Sequence, residues 1–97
     1  MAEYARVVTF EADDAALEAL VDEIKSADEA PPGVAATRIV VLSNREAGKV
    51  IVSIRFASEE DLRTGGEALE AMSPPAGGSL RRVSVESYEV VVDRAPS

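Results

Sequence analysis

Residues 37–62 read TRIVVLSNREAGKVIVSIRFASEEDL, and this stretch decides the fold. Two β-branched runs, residues 39–42 and 50–54, flank residues 44–49, where Gly48 can supply the positive φ that a hairpin loop of this length needs. A hairpin is therefore predicted here. Neither run alternates cleanly, because Ile39, Val40, Val41 and Leu42 are all apolar and so are Val50, Ile51 and Val52. Strands of that kind are usually covered on both faces. After Phe56 the period changes. Ser58 stands three residues before Asp61 in the manner of a capping box, and Glu59, Glu60 and Asp61 fill a first helical turn whose dipole favours negative charge.

Upstream, residues 4–10 form a β-branched and aromatic strand with two sides, Tyr4, Arg6, Val8 and Phe10 against Ala5, Val7 and Thr9. Arg6 interrupts the bulkier side, so the pattern alone does not say which side meets a helix. Asp13 can cap a helix in which Leu17, Leu20, Val21, Ile24 and Ala27 follow i, i+3, i+4, i+7 spacing. Asp14, Glu18, Asp22 and Glu23 occupy its remaining positions. They read as a solvated face rather than a metal or acid/base cluster. Pro31, Pro32 and Gly33 end the helical region.

Downstream, a second helix from about Glu59 carries the stripe Leu62, Leu69 and Met72 with Ala68 beside it. Gly65 and Gly66 lie in its middle, either to let a neighbour approach closely or as a weak point. Residues 73–79, SPPAGGS, are too rich in Pro and Gly for regular structure and read as a connecting loop, with a lid as the functional alternative. The last strand, residues 80–92, is out of phase with itself. Val83 and Val85 are odd-numbered, whereas Tyr88, Val90 and Val92 are even-numbered, and one extra residue near Glu86 or Ser87 would reconcile them, which predicts a bulge or a change of partner. A frayed tail, residues 93–97, follows.

The order strand, helix, strand, strand, helix, strand predicts one domain over residues 1–97. Its fold class is α+β: a ferredoxin-like βαββαβ arrangement with a four-stranded antiparallel sheet and both helices on one face. The other face would be an apolar patch on a monomer, and a symmetric homodimer burying sheet against sheet is the economical cover.

Composition narrows the chemistry. The 97 residues include no cysteine and no histidine, which removes disulfides, thiolate clusters and the commonest metal ligand and general base. No metal and no cofactor is expected. With 18 Asp and Glu against 10 Lys and Arg, the chain would repel phosphate backbones and anionic lipid, so neither nucleic acid nor membrane is an expected partner. The N-terminus has no basic region followed by a long apolar one, and a cytoplasmic location is expected.

The start YARVVTF, the Pro-Gly before the second strand, the stretch AGKVIVSIRFASEEDLR and the end VSVESYEVV together resemble the dimeric α/β-barrel superfamily, in particular its antibiotic biosynthesis monooxygenase-like group. The resemblance spans nearly the whole chain and implies a homodimer whose two sheets form a barrel. It implies an apolar or aromatic small molecule bound between sheet and helices, and, in the catalytic relatives, cofactor-independent oxidation of polycyclic phenols or oxidative haem breakdown. Where the phenol-oxidising relatives carry an Asn in the third strand, a Trp at its end and a Tyr in the second helix, this chain has Val52, Phe56 and Leu62. The haem-degrading relatives use a His ligand, and there is none here.

These replacements leave an apolar wall that can bind but has lost the hydrogen bonds that steer oxygen. Val52, Ile54, Phe56 and Leu62 are the candidate ligand cleft. Phe56 is expected to border it partly exposed, so that truncation to Ala would cost only about 1–2 kcal/mol. Possible polar contacts are Arg55, Ser53 and Tyr88. Arg55 and Ser53 point away from Val52, Ile54 and Phe56, toward the side a dimer would enclose. Arg55 could hold an acidic ligand group, pair with a carboxylate of its own chain such as Glu86 or Glu89, or lie at the solvent rim. Tyr88 could donate from its phenol or simply pack at the sheet edge. Binding without catalysis is the expected function; a cofactor-independent monooxygenase is the alternative.

Overall fold

A computed structural model describes residues 2–27, 31–72 and 80–96. Its elements are β1 (Glu3–Ala12), α1 (Asp14–Ser26), β2 (Ala36–Asn44), β3 (Lys49–Phe56), α2 (Glu59–Glu70) and β4 (Leu80–Val90). They build one antiparallel sheet in the order β2-β3-β1-β4. This is the ferredoxin-like α+β arrangement, with β1 and β3 central. Residues 73–79, read above as a loop or lid, lie outside the described residues.

Each turn has a local cause. The hairpin loop closes with Asn44 Oδ1 accepting from the Ala47 N–H at 3.0 Å and with Gly48 at φ 67°. The Gly48 carbonyl then accepts from the Ala12 N–H at 2.9 Å, tying the loop to the end of β1. Before β2, the Val34 N–H donates to the Pro31 carbonyl at 3.0 Å and Gly33 sits at φ 83°. This is a turn with Pro at its second position and the left-handed residue at its third, where glycine carries no Cβ penalty. Helix α1 starts as its sequence indicates, with Asp13 Oδ1 accepting from the Ala16 N–H at 2.8 Å. In α2 the Ser58 hydroxyl accepts from the Asp61 N–H at 3.1 Å. Each such cap is worth about 1 kcal/mol.

Register assigns the faces. Tyr4, Arg6, Val8 and Phe10 of β1 pair with Phe56, Ile54, Val52 and Val50 of β3, and directly paired residues share a face. The core forms there, from Val50, Val52, Ile54 and Phe56 with Leu17 and Leu20 of α1 and Val34 of the turn. The β1 side interrupted by Arg6 is thus the one that meets the helices. Helix α2 runs unbroken through Gly65 and Gly66, and close approach explains the first of them, whose Cβ would meet the Phe56 ring.

The opposite face brings together Val7, Thr9, Val40, Leu42, Ile51 and Ser53. Ile51 is half-buried and Leu42 is 56% exposed, so within one chain the two hairpin strands are covered on one face only.

Strand β4 departs from expectation in two ways. The register slips at residue 83, since Thr9 pairs with Ser84 and Phe10 with Arg82; the irregularity is not near Glu86 or Ser87. Val85 therefore joins the helix face opposite Val8, while Tyr88, opposite Ala5, lies on the other. The two apolar sets serve different faces of an edge strand, so nothing has to reconcile their phase. The strand also ends at Val90 rather than at residue 92, and Val91 and Val92 are exposed.

Candidate functional site

A cleft of about 740 Å³ opens on the helix face of the sheet, within the size range of small-molecule sites. Val8 and Phe10 of β1 and Val52 and Ile54 of β3 line it from the sheet, Leu20 and Ile24 from α1, and Leu69 and Met72 from the end of α2. Two of the expected cleft residues, Val52 and Ile54, are part of it.

The other two are not. Phe56 is fully buried and belongs to the packed core beside the cleft. Its ring lies directly under Gly65 of α2, so a glycine in the helix gives the aromatic side chain complete cover. The expectation of partial exposure is thereby overturned. Leu62 lines a second, shallower cleft of about 530 Å³ between α2 and β4, together with Tyr4, Gly66, Val85 and Tyr88. There the Tyr4 phenol is raised above its usual value by reduced solvation and by the carboxylates Glu59 and Glu89.

The two clefts meet at Arg6. This residue is only 8% exposed and lines both. Its Nη2 donates to Glu70 Oε1 at 2.8 Å, and the same oxygen accepts from Arg82 Nη1. One carboxylate thus serves two guanidinium groups contributed by a central and an edge strand. The hydrogen bond from Arg82, with the charges of Arg82 and Arg6, holds the Glu70 carboxyl below its ordinary value, although partial desolvation works the other way.

Sequence reasoning did not single out this trio, but two signals pointed to it. Arg6 breaks an otherwise apolar strand side. Glu70 stands in the last turn of α2, where the dipole favours cations and where this helix has no basic residue. An acid there needs a tertiary partner.

Arg55, Ser53 and Tyr88 lie on the other face of the sheet from the large cleft. Arg55 makes an ion pair with Asp93, not with Glu86 or Glu89. The residue expected to lie in a frayed tail is its partner, three residues beyond the end of β4. Tyr88 is 49% exposed, and its phenol is raised by a hydrogen bond to Glu86, by reduced solvation and by the Glu86 charge. None of the three reaches the large cleft, although Tyr88 borders the shallower one.

Among the described residues, no group of three or more carboxylates is placed to hold a metal ion, and no helix is long and apolar enough to cross a membrane. No family model matches the chain, and neither a curated protein nor a solved structure is significantly similar to it.

Proposed function

We propose that the chain is a homodimeric member of the dimeric α/β-barrel superfamily, in its antibiotic biosynthesis monooxygenase-like group, that holds an apolar or aromatic small molecule without transforming it. The observation that carries the binding reading is the large cleft, floored by Val8, Val52 and Ile54 and walled by Leu20, Ile24 and Leu69. Such a surface favours an apolar guest by removing its area from water, at about 25 cal/mol per Å². What supports the homodimer is the open sheet face, where Val7, Val40, Leu42 and Ile51 lie on neighbouring strands with no helix over them.

Methyl-resolved NMR tests the binding reading directly. Titration with a polycyclic phenol is expected to shift the methyl signals of Val8, Val52 and Ile54, with no oxygen consumed in a parallel electrode measurement. Oxygen uptake above the blank would replace this reading with the monooxygenase one. Shifts confined to Val7 and Ile51 would move the ligand to the other face and overturn the cleft assignment.

A further inference from the structure

Among the described residues, the charge lining the large cleft runs against that of the chain. Acidic residues outnumber basic ones by 18 to 10 overall, yet the described residues lining this cleft include Arg6, Arg38 and Arg82 against a single acid, Glu23. Two of these arginines are already held in place. Arg6, on the central strand, and Arg82, beside the register slip of β4, each direct one terminal nitrogen at Glu70 Oε1.

A guanidinium carries five N–H donors in a rigid fork, and the bond to Glu70 uses one terminal nitrogen of each. Among the described residues no buried side-chain nitrogen or oxygen lacks a partner, so no remaining donor of either arginine is both buried and unpaired, and both residues line the cleft. Two guanidinium charges against one carboxylate leave a net positive charge at the end of an apolar cavity. A cavity built only for a neutral hydrocarbon would gain nothing from that excess positive charge in its wall.

We infer that the ligand of this cleft is an apolar carboxylic acid, its hydrocarbon or aromatic body lying on Val8, Val52 and Ile54 and its carboxylate received by Arg6 and Arg82. The inference rests on the binding reading above and deepens it. Glu70 acts as the resident anion: it keeps both forks oriented in the empty protein, and the incoming carboxylate completes the neutralisation that one glutamate leaves unfinished. Bidentate pairing of this kind suits the planar fork of arginine and would be lost with a neutral amide.

A matched pair of fluorescent probes separates the two levels of the argument. Pyrenebutyric acid and pyrenebutanol share an apolar body and differ at the end group. Fluorescence anisotropy is expected to show the acid binding about tenfold or more tightly than the alcohol. Arg82→Gln, at an exposed position, is expected to bring binding of the acid down to about the level of the alcohol. Arg6→Gln should do the same, provided its circular dichroism matches that of the wild type. Equal binding of acid and alcohol by the wild type would overturn the carboxylate inference and leave the apolar cleft standing. Binding of neither probe would overturn both. A preference for the acid that survives both substitutions would overturn the assignment to these arginines.

Discussion

The ring of Phe56 occupies the space that a side chain on Gly65 would need: its Cζ lies 2.8 Å from the ideal Cβ position, and Cε1 lies nearer still. Phe56 is enclosed on all sides and has no free direction in which to give way. Gly65→Ala is therefore expected to destabilise the protein by about 1–2 kcal/mol, overpacking outweighing the roughly 1 kcal/mol that Ala gains over Gly in a helix. Its neighbour behaves oppositely. A Cβ on Gly66 would meet only Arg6 Nε and Cδ, at 3.7 and 3.9 Å, so Gly66→Ala should stabilise by up to about 1 kcal/mol. Urea denaturation of the two variants checks the opposite signs, and equal effects would refute the packing argument.

Truncating the ring itself should be costly. With no exposed surface, Phe56→Ala is expected to lose about 3–5 kcal/mol, in place of the smaller loss that a cleft position would carry. Urea melts at several protein concentrations separate unfolding from any dissociation. A loss below about 2 kcal/mol would mean that the site collapses or is already loose.

Glu70 makes stability depend on acid. Its folded-state carboxyl titrates below the ordinary value of 4.5, so the unfolded chain takes up the proton first as pH falls. Stabilisation from its bridge to Arg6 and Arg82 is then fully present above the ordinary value and is lost as pH drops through the depressed one. Glu70→Gln should accordingly be less stable than the wild type near neutral pH, with the difference vanishing in acid. A difference that persisted at about pH 2 would tie the effect to packing rather than charge.

The open sheet face predicts the assembly state. In sedimentation velocity at micromolar concentration, the wild type is expected to run as a dimer. Ile51→Glu, placing a charge where Ile51 lies between Thr9 and Leu42, should shift it to monomer without changing the circular dichroism spectrum. A wild type that sediments as a monomer would remove the dimer from the proposal.

Local signals made most of the fold legible. Gly48, the caps at Asp13 and Ser58 and the β-branched runs each act within a few residues, and all six elements follow from them. The face of β1 was not legible, because Arg6 breaks the pattern and only its Glu70 partner, 64 positions away, explains its burial. The phase of β4 misled for a related reason: an edge strand can give Val85 to one face and Tyr88 to the other, so its apolar residues need not agree. At the candidate site, strand alternation sufficed for Val52 and Ile54. Phe56 shares their alternation yet is sealed by a helix glycine, and no strand pattern records what lies above a residue.

The central place of β1 bears on how the chain is made. β1 leaves the ribosome before the other elements of the sheet, and its partner on one side, β3, follows some forty residues later, while β4 on its other side is the last of the four strands. Until β4 arrives, the backbone groups of β1 that it will satisfy form an open edge, and open edges recruit other chains. The segment least protected during synthesis is thus the strand that ends up most protected in the finished sheet. Arg6 and Glu11 within it keep that temporary edge charged until β4 docks with Ser87 opposite Arg6 and Arg81 paired to Glu11.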